Sequence, residues 1–179
     1  MIRKRRSLQA LLCGGTGAGK RGRRERMKRV VRYLFFPAAS LAAGGLAAWL
    51  SAEGIKAYQS AVKPPLAPPD AVFPIVWTIL YLLMGVGMAM VVGREGGGGT
   101  ALLLWALQLA ANFVWTLIFF RQQDYLLALI WLVFLWALIL AMTIAFRRAD
   151  PLAALLQVPY LLWVAFAGYL NYMVWVLNP

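Results

Sequence analysis

The sequence contains no histidine, and its single cysteine is Cys13. Those absences exclude a disulfide within the chain, a histidine-containing zinc site, a Ser-His-Asp triad and a histidine axial ligand to haem. They also remove the side chain that usually switches charge near neutral pH. Acidic residues are scarce, 6 Asp and Glu against 18 Lys and Arg. The excess is local: 12 of the basic residues and one acid, Glu25, fall in residues 1–32, and the rest of the chain is close to neutral. The net charge of +12 thus belongs to the N-terminal segment, and nucleic acid is not an expected partner of the body.

What the chain has in abundance is apolar residues. They make up 63% of it, with a mean hydropathy of +0.71. Soluble domains are apolar over only about half their length, so the lipid bilayer is the expected surroundings. Stretches 33–52, 72–92, 101–120, 125–146 and 152–177 each come near the roughly 20 residues needed to cross hydrocarbon. The expected fold is an all-α membrane protein, a bundle of five transmembrane helices over residues 33–179. No stretch carries an internal Asp, Glu, Lys or Arg, which argues against an ion pump or proton-coupled carrier. No internal repeat is visible, which disfavours an inverted-repeat transporter.

Residues 1–32 lack an apolar period and are expected to be disordered or to lie on lipid headgroups. Two motifs there are decoys. GGTGAGK at 14–20 fits part of a phosphate-binding loop, but Arg21 stands where Ser or Thr would hold magnesium. Arg5-Arg6 precedes an apolar segment too short for a signal peptide. Met27, followed by KRVVRYLFF, reads as an alternative translation start. The basic residues at the N-terminal end, with Arg94, Arg147 and Arg148, favour a cytoplasmic N-terminus in a bacterial inner membrane.

The longest break between apolar stretches, 53–71, is proline-rich. Pro64, Pro65, Pro68 and Pro69 make it stiff and extended, and an apolar run with Trp77 and Tyr81 follows directly. A rigid loop held on a helix top is suited to be a lid, and a long loop is a natural place for function. On the first stretch Ser40, Gly44, Ala48 and Ala52 share one helical face, for internal packing or a dimer seam. Gln108, Asn112, Gln157 and Asn171 are amides at membrane depth. They serve as interhelical glue, as ligand-facing groups in a cavity, or as both. Of eight tryptophans, Trp49, Trp105 and Trp175 read as interface anchors. Trp77, Trp115 and Trp163 have cavity-type neighbours: the lid, Asn112 three residues away, and Pro159-Tyr160. Flat indoles round an apolar cavity suit a flat, largely apolar ligand.

Three blocks resemble one family. The first is Tyr58-x4-Lys63-Pro64 with Pro68-Pro69, Val76-Trp77, Leu80-Tyr81 and Met84-Gly85. The second is Gln108-Leu109-x-x-Asn112-x-x-Trp115 with Phe119-Phe120. The third is Pro159-Tyr160-Leu161-x-Trp163-x-Ala165-Phe166-Ala167 with Leu170-Asn171-Tyr172. Together they resemble the translocator protein family, also called tryptophan-rich sensory proteins or peripheral-type benzodiazepine receptors. The resemblance implies a five-helix bundle, commonly a homodimer, with a cavity closed by the loop after the first helix. It implies porphyrin or haem as ligand, no required cofactor, and a role in sensing, regulating or moving porphyrin intermediates. The ligand-binding residues it implies are Tyr58, Pro68, Pro69, Phe73, Trp77, Gln108, Asn112, Trp115, Tyr160, Trp163, Ala167 and Leu170. No metal ligands and no ordinary catalytic residues are implied. An alternative implied by the resemblance is light-dependent porphyrin breakdown, with Trp77 and Trp163 as the reactive indoles; lipid or sterol transport is another. Three positions depart from the family pattern: Ala57 and Leu66 stand where the family often has Trp, and Leu127 where animal members usually have it. No basic residue follows Tyr172, so a sterol motif of the Leu/Val-x-Tyr-x-Lys/Arg type is incomplete.

Overall fold

A computed structural model of the chain describes residues 2–94 and 98–178, with side chains described from residue 19 onward. Helix α1 spans Ile2–Leu50, α2 Ala52–Tyr58, α3 Val72–Val92 and α4 Gly99–Thr116. A π-helical turn, Leu117–Gln122, continues α4; α5 is Tyr125–Ala149, α6 Pro151–Leu155 and α7 Val158–Leu177. Among the described residues five helical segments are long and apolar enough to cross a membrane: Gly19–Leu50, Val72–Val92, Gly99–Gln122, Tyr125–Ala149 and Pro151–Leu177. The expected five-helix, all-α architecture is what the chain adopts.

The surface pattern fits a lipid solvent. Ile75, Ile79, Ile130, Val133 and Leu162 stand on the outside, an arrangement that water would penalise and hydrocarbon does not. Inside, Met84 and Met88 of α3, Leu135, Ile139, Met142 and Phe146 of α5, and Val164 and Val174 of α7 form one core. Helix α3 lies against α1, and α5 lies between α4 and α7. The α1–α3 contact is close because Gly85 faces the backbone of Phe36 and Pro37, where any Cβ would collide. Ser40 donates to the Phe36 carbonyl (3.0 Å), and Gly44 sits under the Tyr81 ring. The small-residue stripe of α1 therefore faces α3 over Ser40 and Gly44 and faces a cavity at Ala48.

The structure departs from the sequence reading in four places. The N-terminal segment is helical from Ile2 instead of disordered. Arg, Lys, Leu and Met are good helix formers, and the segment extends an already formed helix, which avoids the nucleation cost. The side chains of residues 14–18, within the phosphate-loop decoy, and residues 95–97 of the second break lie outside the described residues. The proline-rich loop is shortened by α2, so only 59–71 is irregular. The third and fifth spans are not plain α-helices: one ends in the π-turn, the other breaks between Leu155 and Val158. Trp105 is not an interface anchor; it is buried, edge-on to Phe36 at 5.2 Å.

Two polar contacts fasten the end of the bundle away from the proline-rich loop. Arg32 Nη1 donates to the Val92 carbonyl (2.9 Å) and so caps the C-terminus of α3. Arg94 donates through Nε (3.0 Å) and Nη2 (2.6 Å) to Asp150 Oδ2. Asp150 also caps α6 by accepting from the Leu152 N–H (3.0 Å). The Arg94 hydrogen bond holds the Asp150 carboxyl below its ordinary value, with the backbone N–H groups of Leu152 and Ala153 acting in the same direction. A carboxyl depressed on folding stabilises the fold above its unfolded pKa and loses that contribution as pH falls through its folded value. Asp150→Asn keeps the cap and deletes the charge. Its melting temperature in detergent should lie below wild type by a constant margin above about pH 5, and that margin should close below about pH 4, the ordinary carboxylate range. A margin independent of pH would show that the ion pair is not its cause.

Candidate functional site

Beneath the proline-rich loop the helices enclose a cavity of about 310 Å³, at the small end of ligand pockets. Helix α3 contributes Phe73, Pro74, Trp77 and Tyr81; α4 and the π-turn contribute Trp115, Thr116, Phe119 and Phe120. Helix α7 contributes Trp163, Ala167, Leu170 and Asn171, and α1 gives Gly44 and Ala48. The lid side supplies Ile55, Tyr58, Gln59 and Asp70. Aromatic rings form the largest group in the lining, which among the described residues contains no Met, Cys or His.

The rings support one another. Trp115 stacks on Phe119 at 5.4 Å, and Trp77 lies 6.2 Å from Trp115 and 5.7 Å from Tyr81. Phe73 meets Trp163 edge-on at 6.0 Å. Tyr58 packs edge-on against both Phe119 (5.4 Å) and Phe120 (5.6 Å). That double contact depends on the π-turn, whose extra residue per turn brings adjacent Phe119 and Phe120 to one side. Burial pushes the Tyr58 phenol above its ordinary value, with Tyr125 and Asp70 adding to the effect, so it stays neutral at physiological pH.

Behind the aromatic wall runs a buried polar chain. Tyr81 Oη donates to Asn112 Oδ1 (2.9 Å), and Asn112 Nδ2 donates to Tyr160 Oη (2.8 Å). Tyr160 Oη donates to Gln108 Oε1 (3.0 Å), and Gln108 Nε2 donates to Met84 Sδ (3.1 Å). This chain links α3, α4 and α7. Nearby, Trp115 Nε1 donates to Asn171 Oδ1 (3.4 Å), while Asn171 Nδ2 donates to the Tyr125 carbonyl (2.8 Å). Buried polar groups in lipid need such partners, and these residues hold the indole wall in place.

The lid is tied down at three points. Val62 exchanges two hydrogen bonds with the Asn178 side chain, both 3.1 Å. Lys63 Nζ bonds both Asp70 oxygens, at 2.7 and 2.9 Å. Helix α2 rests on the π-turn through Gly54, which abuts the Phe120 carbonyl.

Of the residues singled out in the sequence, the structure gathers Tyr58, Phe73, Trp77, Trp115, Trp163, Ala167 and Leu170 round the cavity. Gln108, Asn112 and Tyr160 lie behind its wall in the polar chain, and neither Pro68 nor Pro69 lines it. Ala57 and Leu66, the departures in the lid, point to the outside and also do not line it. Tyr81 and Phe119 also line the cavity beyond the expected set; each stands four residues after a cavity tryptophan and so shares its helical face. Phe120 had no such signal, because only the π-turn brings it round.

Residues 35–176 match the TspO/MBR family. The chain belongs to that family. A relative named Tryptophan-rich protein TspO, from Chlorobaculum tepidum, is 43% identical over 125 residues, which is 68% of this chain and 79% of the relative. Protein CrtK of Rhodobacter capsulatus is 41% identical over 125 residues, 68% of this chain and 78% of that protein. The human Translocator protein is 41% identical over 128 residues, 69% of this chain and 75% of its own length. TspO/MBR membership and five apolar helices make this an integral membrane protein.

Proposed function

We propose that this TspO/MBR protein binds a tetrapyrrole in the cavity beneath the lid, as a step in sensing, regulating or moving porphyrin intermediates. The observation that carries the reading is the lining: three indoles and three phenylalanine rings face one apolar space, with two tyrosines beside them. Such a surface matches a broad, flat, apolar guest through stacking and edge contacts. The metal-free porphyrin is the favoured form, because the described lining offers an iron no imidazole, thioether or thiol and only the phenols of Tyr58 and Tyr81. The names of relatives, which include "sensory" and "translocator", agree with a handling role. The basic N-terminal end supports a cytoplasmic N-terminus in a bacterial inner membrane. A homodimer belongs to the same proposal on family resemblance.

The test is tryptophan-fluorescence quenching of detergent-purified protein by protoporphyrin IX in the dark. Saturable quenching by wild type should weaken about tenfold or more in both Trp77→Ala and Trp163→Ala, the loss of one stacked aromatic being worth roughly 1–3 kcal/mol. Weak or unsaturable quenching of wild type would overturn the reading. A second reading, light-driven breakdown of the porphyrin, is favoured by one observation: Trp77 and Trp163 both line the cavity. Illuminated samples of Trp163→Phe test it, since bleaching unchanged from wild type would remove that indole from the chemistry.

A further inference from the structure

The cavity is largely apolar, and the one charged side chain in its described lining is at the rim. There the Asp70 carboxylate lines the space and is held by Lys63. The Lys63 ammonium also stands 5.7 Å over the ring of Tyr58, a second lining residue, close enough for a cation–π contact. No other cation among the described residues forms an ion pair with a cavity-lining side chain. The pair is partly shielded from water, with side-chain exposures of 28% for Lys63 and 49% for Asp70. It therefore retains some attraction yet can be opened without a large cost. A charge so placed sits where the apolar body of a guest would end and its polar edge would begin.

We propose that Lys63 is the carboxylate-recognition point of the cavity and that Asp70 is its resident competitor. The site then selects flat apolar ligands that carry an acid group on one edge. This rests on the tetrapyrrole reading and names the feature of the guest that the rim reads. An incoming carboxylate accepts from Lys63 Nζ in place of Asp70, while the rings below hold the apolar body. The Tyr58 ring keeps the ammonium over the cavity mouth during the exchange. Asp70, released to water, becomes a like-charge neighbour that limits the affinity for acidic guests.

Two guests separate charge from shape: protoporphyrin IX, with two carboxylates, and its dimethyl ester, which has none. Each is titrated in the dark against wild type, Lys63→Met, Lys63→Arg and Asp70→Asn. Lys63→Met should weaken the free acid about tenfold, the usual scale of a lost charge-assisted hydrogen bond. Lys63→Arg should restore most of that loss. Asp70→Asn should tighten the free acid about threefold, because the competitor is gone and the screened repulsion with it. The ester should respond to none of the three. Equal changes for acid and ester would overturn the rim assignment and leave tetrapyrrole binding standing. Failure of both guests to bind wild type saturably would overturn both.

Discussion

Gly85→Val is expected to destabilise the bundle more than any other single substitution considered. The new side chain would start inside the backbone of Phe36 and Pro37. A flexible side chain could yield to such an intrusion, but main chain cannot without moving a helix. Overpacking of a core costs about 1–3 kcal/mol where side chains can adjust, and here α1 itself must move away from α3. The loss should reach about 3 kcal/mol or more, measured as a lower melting temperature in detergent. Gly45→Ala is the control, since nothing lies within 4 Å of its added methyl. It should match wild type or exceed it slightly, as alanine favours helix over glycine by about 1 kcal/mol. If Gly85→Val melts with wild type, the close α1–α3 contact does not hold the bundle.

The second large effect is expected at Asn112. Among the described residues it alone bonds both Tyr81 and Tyr160, so Asn112→Leu leaves the Tyr81 hydroxyl without its acceptor and takes from the Tyr160 oxygen its donor. An orphaned buried group costs about 1–3 kcal/mol in general, whereas interhelical hydrogen bonds in membranes average nearer 0.6 kcal/mol. Tyr160 keeps its bond to Gln108, and Tyr81 borders the cavity, so the penalty should fall near the middle, at about 2 kcal/mol. Affinity for protoporphyrin IX should fall as well, because Tyr81 packs beside Trp77. The double variant Tyr81→Phe with Asn112→Leu distinguishes the causes. Removing the orphaned hydroxyl should recover much of the lost stability, a coupling that a purely steric defect would not show.

The architecture could be read from the chain because lipid demands so much of it. A span must be long, apolar and uncharged, and all five announce themselves on those grounds. Trp77, Trp115 and Trp163 were legible as cavity residues because their neighbours are unusual at membrane depth. What could not be read was direction behind the wall. Gln108, Asn112 and Tyr160 carry the same chemistry whether they face a guest or each other, and only the paired geometry distinguishes the two. Nor does composition reveal the π-turn: LIFFRQ has no proline or glycine to mark it, yet it brings Phe120 to Tyr58. Asp70 carries no signal of its own, because a lone acid in a proline-rich loop looks like any solvated charge. Its meaning depends on Lys63, seven residues earlier, across a loop whose path the sequence leaves open.

The buried polar chain also bears on how the protein is made. Helices leave the ribosome from the N-terminus onward, so α3 and α4 reach the bilayer before α7. Tyr81 and Asn112 can find each other at that stage, but the side chain that joins Asn112 to Gln108 arrives only with the last helix. Until then part of the polar seam faces lipid without its partners. The same late helix brings Trp163, Ala167, Leu170 and Asn171. Closure of the polar seam and completion of the cavity thus converge on one event, the arrival of α7, and a half-made bundle has an exposed polar seam in place of a site.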